Sequence, residues 1–450
     1  MPPRVPAILA VLATVAALQT GCSTPTAPTP QPPTTPPMGW NSWNSGIELT
    51  EQNVKETIDA MVSSGMRDAG YRYVNLDAGW AAPQRTDAGA LQADPARFPD
   101  GMAVVATYAH DRGMRLGLYA SPFEQGCSAQ LPLASAGHET QDARTFADWG
   151  VDFLKYDWCR GEADHDHQVR VFTAMRDALR ATGRRIVYSI NPNSSADATA
   201  GVHYDWSGIA DMARATTDLV PVLRDGLTGL GPLDPIRSPT YRGVADEFAV
   251  AATAIAPSRP GFAVDPDMLT VGVTWAEYLA AHFATGPGPY SDGAGGLVSG
   301  AELTRKWLAQ PDLTPDEQRT HLSLWAMLSA PLLAGNDVRS MTAQTRDILT
   351  NREVIAVDQD SHSAAPKPVN GDDRVLVKPL ADGAVAVALY NPSDAPAVID
   401  TTAGDLGLDA ASCYRTRDLW KHTEASTVGD IGAADVAPHA VALLRVTPCR

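Results

Sequence analysis

Between residues 38 and 359 the chain alternates short apolar runs with longer amphipathic stretches. Eight runs have the length of buried strands, and seven of them hold β-branched or aromatic residues. They are "MGWNSW" (38–43), "YRYVNLD" (71–77), "MRLGLYA" (114–120), "VDFLKYD" (151–157), "RIVYSIN" (185–191), "IADMARAT" (209–216), "GFAVD" (261–265) and "APLLAG" (330–335). Helical patterns lie between them. After Thr50, a side chain suited to capping, Val54, Ile58, Met61 and Val62 share one helix face; Val169, Phe172, Met175 and Leu179 form another. Eight strand–helix units predict a closed (β/α)8 TIM barrel over 38–359, with its chemistry at the C-terminal ends of the strands. From 361 to 450 the period changes. "DRVLVKPLADGAVAVALYNPS" alternates apolar and polar residues and breaks at Asp-Gly, a hairpin signal, which predicts a C-terminal antiparallel β-sandwich domain covering the barrel.

The first 37 residues follow neither pattern. A basic "MPPR" precedes "AILAVLATVAAL" (7–18), an apolar run too short to span a bilayer, so residues 1–22 are expected to be a signal peptide. Cys22 closes "LQTGC", which looks like a bacterial lipoprotein cleavage site with Gln19 where leucine is usual. Lipid attachment is left open. "STPTAPTPQPPTTPP" (23–37) is a proline-rich linker. The expectation is export, either secreted or lipid-anchored at the outer face of the bacterial cell membrane.

Composition narrows this further. Apolar residues make up 44% of 450, as in a soluble globular chain, and a formal charge of −17 argues against nucleic acid or anionic membrane surfaces as partners. Five cysteines are present. In an oxidising compartment pairing is expected. Cys127 and Cys159 both follow candidate strand ends and could meet at one rim; Cys413 and Cys449 could staple the last domain. Buried free thiols are the alternative.

Candidate chemistry is concentrated at one rim. Asp157 ends its strand, and Asp77, Tyr119, Asn191 and Asp267 lie at or just past other strand ends. One such residue is usually a turn former, but five at the same rim are not readily explained as caps. Lys155 precedes Asp157 by two residues, so both point to one face of the strand, where the ammonium would favour an ionised carboxylate. "EADHDHQ" (162–168) offers metal-ligand residue types, but consecutive residues cannot all face one ion, and the run falls at a helix start.

"PPMGWNSWN", "YRYVNLDAGW", "LQADPARFPDGM", "RLGLYASPFEQGC", "TFADWGVDFLKYDWC", "RATTDL", "DPDMLTVG" and "LWAMLSAPLLAGNDVRSM" occur in the order seen in glycoside hydrolase family 27, the melibiase-type α-galactosidases. The resemblance implies retaining hydrolysis of terminal α-D-galactosyl residues by two carboxylates roughly 5 Å apart, with no cofactor and no metal. It makes Asp157 the nucleophile and, from an arginine four residues before the acid/base, Asp218 the acid/base, with Arg214 binding the sugar 2-hydroxyl. Asp211 then falls in the preceding strand. It also implies that Trp43 forms an apolar wall, that Tyr119 packs in the sugar pocket, that Lys155 and Asp267 bind substrate with Asp265 in support, and that Cys127 pairs with Cys159. Trp40 reads as core.

Three departures bear on the substrate. The family has two adjacent aspartates that grip the 4- and 6-hydroxyls; here they read Asp77-Ala78. A glutamate after "YS" is replaced by Asn191, and the stretch 272–319, with "TGPGPYSDGAGG" (285–296), is unusually long. Hence β-L-arabinopyranosidase or another family 27 specificity is the alternative activity. An inactive carbohydrate-binding protein is the alternative class. Oligomeric state is left open.

Overall fold

The computed structural model describes residues 34–127, 133–158, 164–194, 197–224, 242–282 and 311–449, and the backbone of 290–291 and 297–298. Leader, linker to residue 33, Cys22, Cys159 and most of 285–296 lie outside the described residues. All eight expected barrel strands are present, with narrower bounds: β1 Met38–Asn41, β2 Tyr73–Leu76, β3 Arg115–Ala120, β4 Phe153–Asp157, β5 Val187–Asn191, β6 Met212–Arg214, β7 Ala263–Asp265 and β8 Leu332–Ala334. They form one parallel sheet in the order β8-β1-β2-β3-β4-β5-β6-β7. The segment after β7 closes the ring: Leu269 N donates to Leu333 O at 2.7 Å, and Gly335 N donates to Leu269 O at 2.9 Å.

Period two along each strand sorts the side chains. On β4, Phe153 joins Tyr73, Val187, Met212, Ala263, Met268 and Leu333 in the barrel interior, while Leu154 and Tyr156 pack outward against the helices. Lys155 and Asp157 continue the inward row above Phe153, so an apolar plug forms the floor beneath them. Thr50 caps helix Glu51–Ser63 by accepting from Asn53 N at 3.2 Å, and Val54, Ile58 and Met61 are fully buried. Asp164 caps helix His165–Ala181, which buries Phe172, Met175 and Leu179. His165 stacks on Tyr204 with ring centroids 3.7 Å apart, and His167 meets the edge of Trp158 at 5.6 Å. These two histidines therefore pack on different aromatic partners.

Beyond residue 366 a six-stranded antiparallel sheet faces a two-stranded sheet, Ala397–Thr402 with Asp430–Val436. Val385, Val387 and Leu389 pack between the sheets on Ile399, Ile431 and Val436. The opposite face of the larger sheet presents small side chains, Ala386 and Ala388, to the barrel core, which lets helix Pro315–Leu328 lie close against it. Cys413 and Cys449 form a disulfide, Cα–Cα 5.3 Å, which joins the start of strand Tyr414–Asp418 to the end of its antiparallel neighbour Val441–Pro448.

A buried lysine fastens the two units. Lys378 Nζ donates to Ala326 O and Val357 O, both at 2.8 Å, and to Ser329 Oγ at 2.6 Å, so it satisfies terminal carbonyls of two barrel helices. Burial lowers its pKa to about 8, with Asp358 opposing the shift. Lys378→Ala should destabilise the chain by about 3 kcal/mol, since three buried acceptors lose their donor. Thermal unfolding checks this; an unchanged melting temperature would show that the clamp contributes nothing.

Candidate active site

The strand ends converge on a cavity of about 200 Å³ lined by Trp43, Asp77, Ala78, Tyr119, Cys127, Lys155, Asp157, Asn191, Arg214, Asp218, Asp267 and Met268. All nine residues expected to act on substrate are among them. Trp43 begins a 3₁₀ turn, Trp43–Ser45, directly after β1, and stands half-buried in the wall. Trp40 is fully buried and donates from Nε1 to Asn336 O at 2.8 Å.

Two cations divide the acids between them. Lys155 Nζ lies 2.7 Å from Asp77 Oδ2 and 3.3 Å from Asp157 Oδ2, and 5.1 Å from the Tyr119 ring centroid. Asp77 is otherwise committed: Asn41 Nδ2 donates to Oδ2 at 3.2 Å and Ala78 N to Oδ1 at 2.9 Å. Burial opposes the charge on Lys155, but Asp157 and Asp77 outweigh it and hold the ammonium charged. Asp157 goes the other way. Burial raises it to about 6, with Lys155 and then Arg214 pulling against the shift. The expectation that Lys155 governs this carboxylate is therefore only half of the balance, because desolvation of the strand end is the larger effect.

Arg214, at the end of β6, contacts Asp218 Oδ1 at 3.2 Å and Asp267 Oδ2 at 3.0 Å through Nη2. Asp267 also accepts from Leu219 N at 2.9 Å, so β7 holds the loop on which Asp218 sits. Asp267 has φ +78, a left-handed backbone rare for non-glycine residues, secured by Asp265 Oδ1 accepting from its N at 2.9 Å. Burial acts on Asp218 too, but the charges of Arg214 and Lys155 bring it below the usual carboxylate range. The Asp218 side chain is 46% exposed and that of Asp157 9%, so the cavity opens on the Asp218 side. Asp211 lies elsewhere. It precedes β6 by one residue and pairs with Arg185 at 2.9 Å, at the N-terminal end of the barrel.

Several supporting residues carry no signal in the sequence. Asn193 Nδ2 donates to Asn191 Oδ1 at 2.9 Å and Arg214 O at 3.1 Å, and Asn193 Oδ1 accepts from Gly201 N at 3.0 Å. Because the Asn191 oxygen is used internally, its amide N–H₂ is what remains to offer a ligand. Gly201 allows this latch: a Cβ there would stand 1.7 Å from Arg214 O. Behind the Asp218 loop, Thr216 Oγ1 donates to Glu247 Oε2, and burial raises Glu247 to about 8, making it a neutral acid. Cys127 is disulfide-bonded, and Cys159, the partner expected for it, lies outside the described residues. Among the described residues no group of three His, Cys, Asp or Glu could hold a metal ion, and no helix is long and apolar enough to cross a membrane.

A family profile described as "Alpha galactosidase A" matches residues 35–220 and 284–360, and one described as "Alpha galactosidase C-terminal beta sandwich domain" matches 370–446. The chain belongs to glycoside hydrolase family 27, the melibiase-type α-galactosidases. α-Galactosidase 2 of Arabidopsis thaliana is 35% identical over 402 residues, 89% of this family 27 chain and 86% of that one. The crystal structure of α-galactosidase I from Mortierella vinacea superposes with TM-score 0.74 at 29% identity, covering 92% of this chain and 97% of that one. A family 27 β-L-arabinopyranosidase from Geobacillus stearothermophilus superposes with TM-score 0.68 at 23% identity, covering 92% and 97%, a likeness of fold alone. This chain is thus a glycosidase of the α-galactosidase class, and its barrel and sandwich are the two parts of the family architecture.

Proposed function

We propose that this chain is an exported enzyme that removes terminal α-D-galactosyl residues with retention. In this reading residues 1–22 are its leader, 23–37 its spacer, 38–359 the catalytic unit and 361–450 the covering domain. One observation carries the activity: Asp157 and Asp218 face a single cavity, each with its own cation, one near the floor and one at the mouth. Asp157 attacks the anomeric carbon as the bond to the leaving oxygen breaks, and that oxygen takes the proton of Asp218. Asp218 then accepts a proton from water, which attacks the galactosyl ester, releases Asp157 and restores the configuration. Arg214 orients Asp218 and reaches the 2-hydroxyl; Trp43 and Tyr119 flank the ring; Lys155, Asp77, Asn191 and Asp267 hold hydroxyls. A panel of aryl α-galactoside, β-L-arabinopyranoside, α-N-acetylgalactosaminide and α-glucoside tests this, with the α-galactoside expected to be best. No turnover of any of the four would favour an inactive carbohydrate-binding protein.

The two carboxylates share one proton in the competent state, and this sets the pH dependence. With Asp157 at about 6 and Asp218 below its usual range, the proton resides mainly on Asp157. Asp157 ionised with Asp218 protonated is the minor arrangement of the pair. Above pH 6 the shared proton is lost. On substrates with poor leaving groups kcat/KM should therefore fall about tenfold per pH unit above 6. On α-D-galactosyl fluoride, which needs no proton donor, it should instead rise as pH climbs through 6. Parallel profiles for the two substrates would remove Asp218 from its role.

A second reading rests on Ala78. It lines the cavity where the family's second aspartate would accept from the sugar, and Asp77 beside it already accepts from Lys155, Asn41 and Ala78 N, so one carboxylate must do the work of two. A charge-assisted bond is worth about 1.5–3 kcal/mol, so its loss weakens recognition by about one to two orders of magnitude. β-L-Arabinopyranose has the ring hydroxyls of galactose without the hydroxymethyl group and would miss this contact least. Ala78→Asp should raise the ratio of kcat/KM for α-galactoside over β-L-arabinopyranoside about tenfold. An unchanged ratio would mean that position 78 does not read the sugar.

A further inference from the structure

Helix Trp275–His282 lies between the two segments matched by the family profile, and the reaction as proposed uses none of it. Thr274 and Glu277 start it with reciprocal bonds, Thr274 N to Glu277 Oε2 at 3.0 Å and Glu277 N to Thr274 Oγ1 at 3.2 Å. Its aromatic residues fall at i, i+3 and i+7 and so share one face. Trp275 stacks on Tyr278 with centroids 5.9 Å apart, Tyr278 lies 4.4 Å from His282, and His282 lies 5.1 Å from Trp43. The chain of rings leads from a buried anchor to the wall of the sugar cavity. His282 Nε2 lies 2.9 Å from Asn44 Oδ1, an oxygen that only accepts, so this nitrogen donates. The helix therefore ends against the turn that carries Trp43.

The cavity, about 200 Å³, opens beside the exposed Asp218. The leaving oxygen must lie within reach of Asp218, so whatever is attached to it projects outward from there. His282 is half-buried and packs on Trp43, which lines this cavity, so it stands beside the cavity wall. We propose that His282, together with Trp43 on which it packs, forms the first contact surface for the aglycone, a neutral sugar ring or similar polyol. This deepens the reading above and rests on Asp218 as the acid/base. Burial holds the imidazole down at about 4 and hence neutral, so it offers an uncharged aromatic ring, whose π-face suits the C–H face of a pyranose.

The test compares raffinose with α-D-galactosyl fluoride, whose leaving group carries no aglycone, in the parent, His282→Ala and His282→Phe. His282→Ala should lose about five- to tenfold more kcat/KM on raffinose than on the fluoride, mainly through KM, the scale of one aromatic contact. His282→Phe keeps a ring against Trp43 and should recover most of that loss. Equal losses on both substrates would mean that the histidine only braces Trp43, and no loss on either would mean that the aglycone passes elsewhere; both overturn the proposal. A parent inactive on both substrates would instead remove the α-galactosidase reading, and this proposal with it.

Discussion

Asp157→Asn should abolish turnover while leaving the protein folded and, at neutral pH, no less stable. Asparagine has the shape of aspartate but cannot form the galactosyl ester, so kcat/KM should fall by about four orders of magnitude or more. Stability should respond in the opposite sense. Burial raises Asp157 to about 6 from an ordinary 3.8, so the folded state prefers the protonated form. Its ionisation therefore disfavours folding, fully above pH 6 and not at all below about 3.8. The asparagine variant should melt at or above the parent's temperature at pH 7, and any gain should shrink as pH falls from 6 towards 4. A variant that keeps most of its activity on the best aryl substrate would sink the assignment. One that melts far below the parent at pH 7 would show that the carboxylate holds the barrel rim together.

Asp218→Ala should discriminate between substrates by their leaving groups. An α-galactoside with a poor leaving group needs a proton on the departing oxygen, and removing the donor should cost about two to four orders of magnitude in rate. An activated nitrophenyl galactoside barely needs that proton, so its first step should be nearly preserved and galactosyl enzyme should accumulate. Azide, which attacks without a base, should then restore turnover and yield α-galactosyl azide, the product of two inversions at the anomeric carbon. Asp211→Ala serves as the control, because Asp211 pairs with Arg185 at the far end of the barrel. If Asp211→Ala shows the leaving-group dependence instead, the acid/base has been misplaced. If Asp218→Ala yields β-galactosyl azide, a single displacement replaces the proposed double one.

The pattern of residues alone determined the eight barrel strands and the change to a β-domain after them, because burial imposes period two on strands and 3.6 on helices whatever the partner. It also determined that Lys155 and Asp157 share a face, since that follows from spacing within one strand. The motifs were enough to nominate every expected residue that lines the cavity, from Trp43 to Asp267. What the pattern does not record is which distant surface each face meets. Only the pairing of β6 with β7, which sets Arg214 opposite Asp265, brings Asp267 onto Arg214 and the Asp218 loop. Only the tertiary environment decides that desolvation outweighs Lys155 at Asp157, because the balance depends on how much water the neighbouring strands exclude. Asn193, Glu247 and Lys378 read as ordinary polar positions in a one-dimensional sequence. Their roles arise from carbonyls and hydroxyls 21, 31 and 52 residues away. His282 is the extreme case: its ring and its hydrogen bond meet the turn Trp43–Ser45, 238 residues earlier at Asn44, a contact that no local spacing encodes and that packing alone creates.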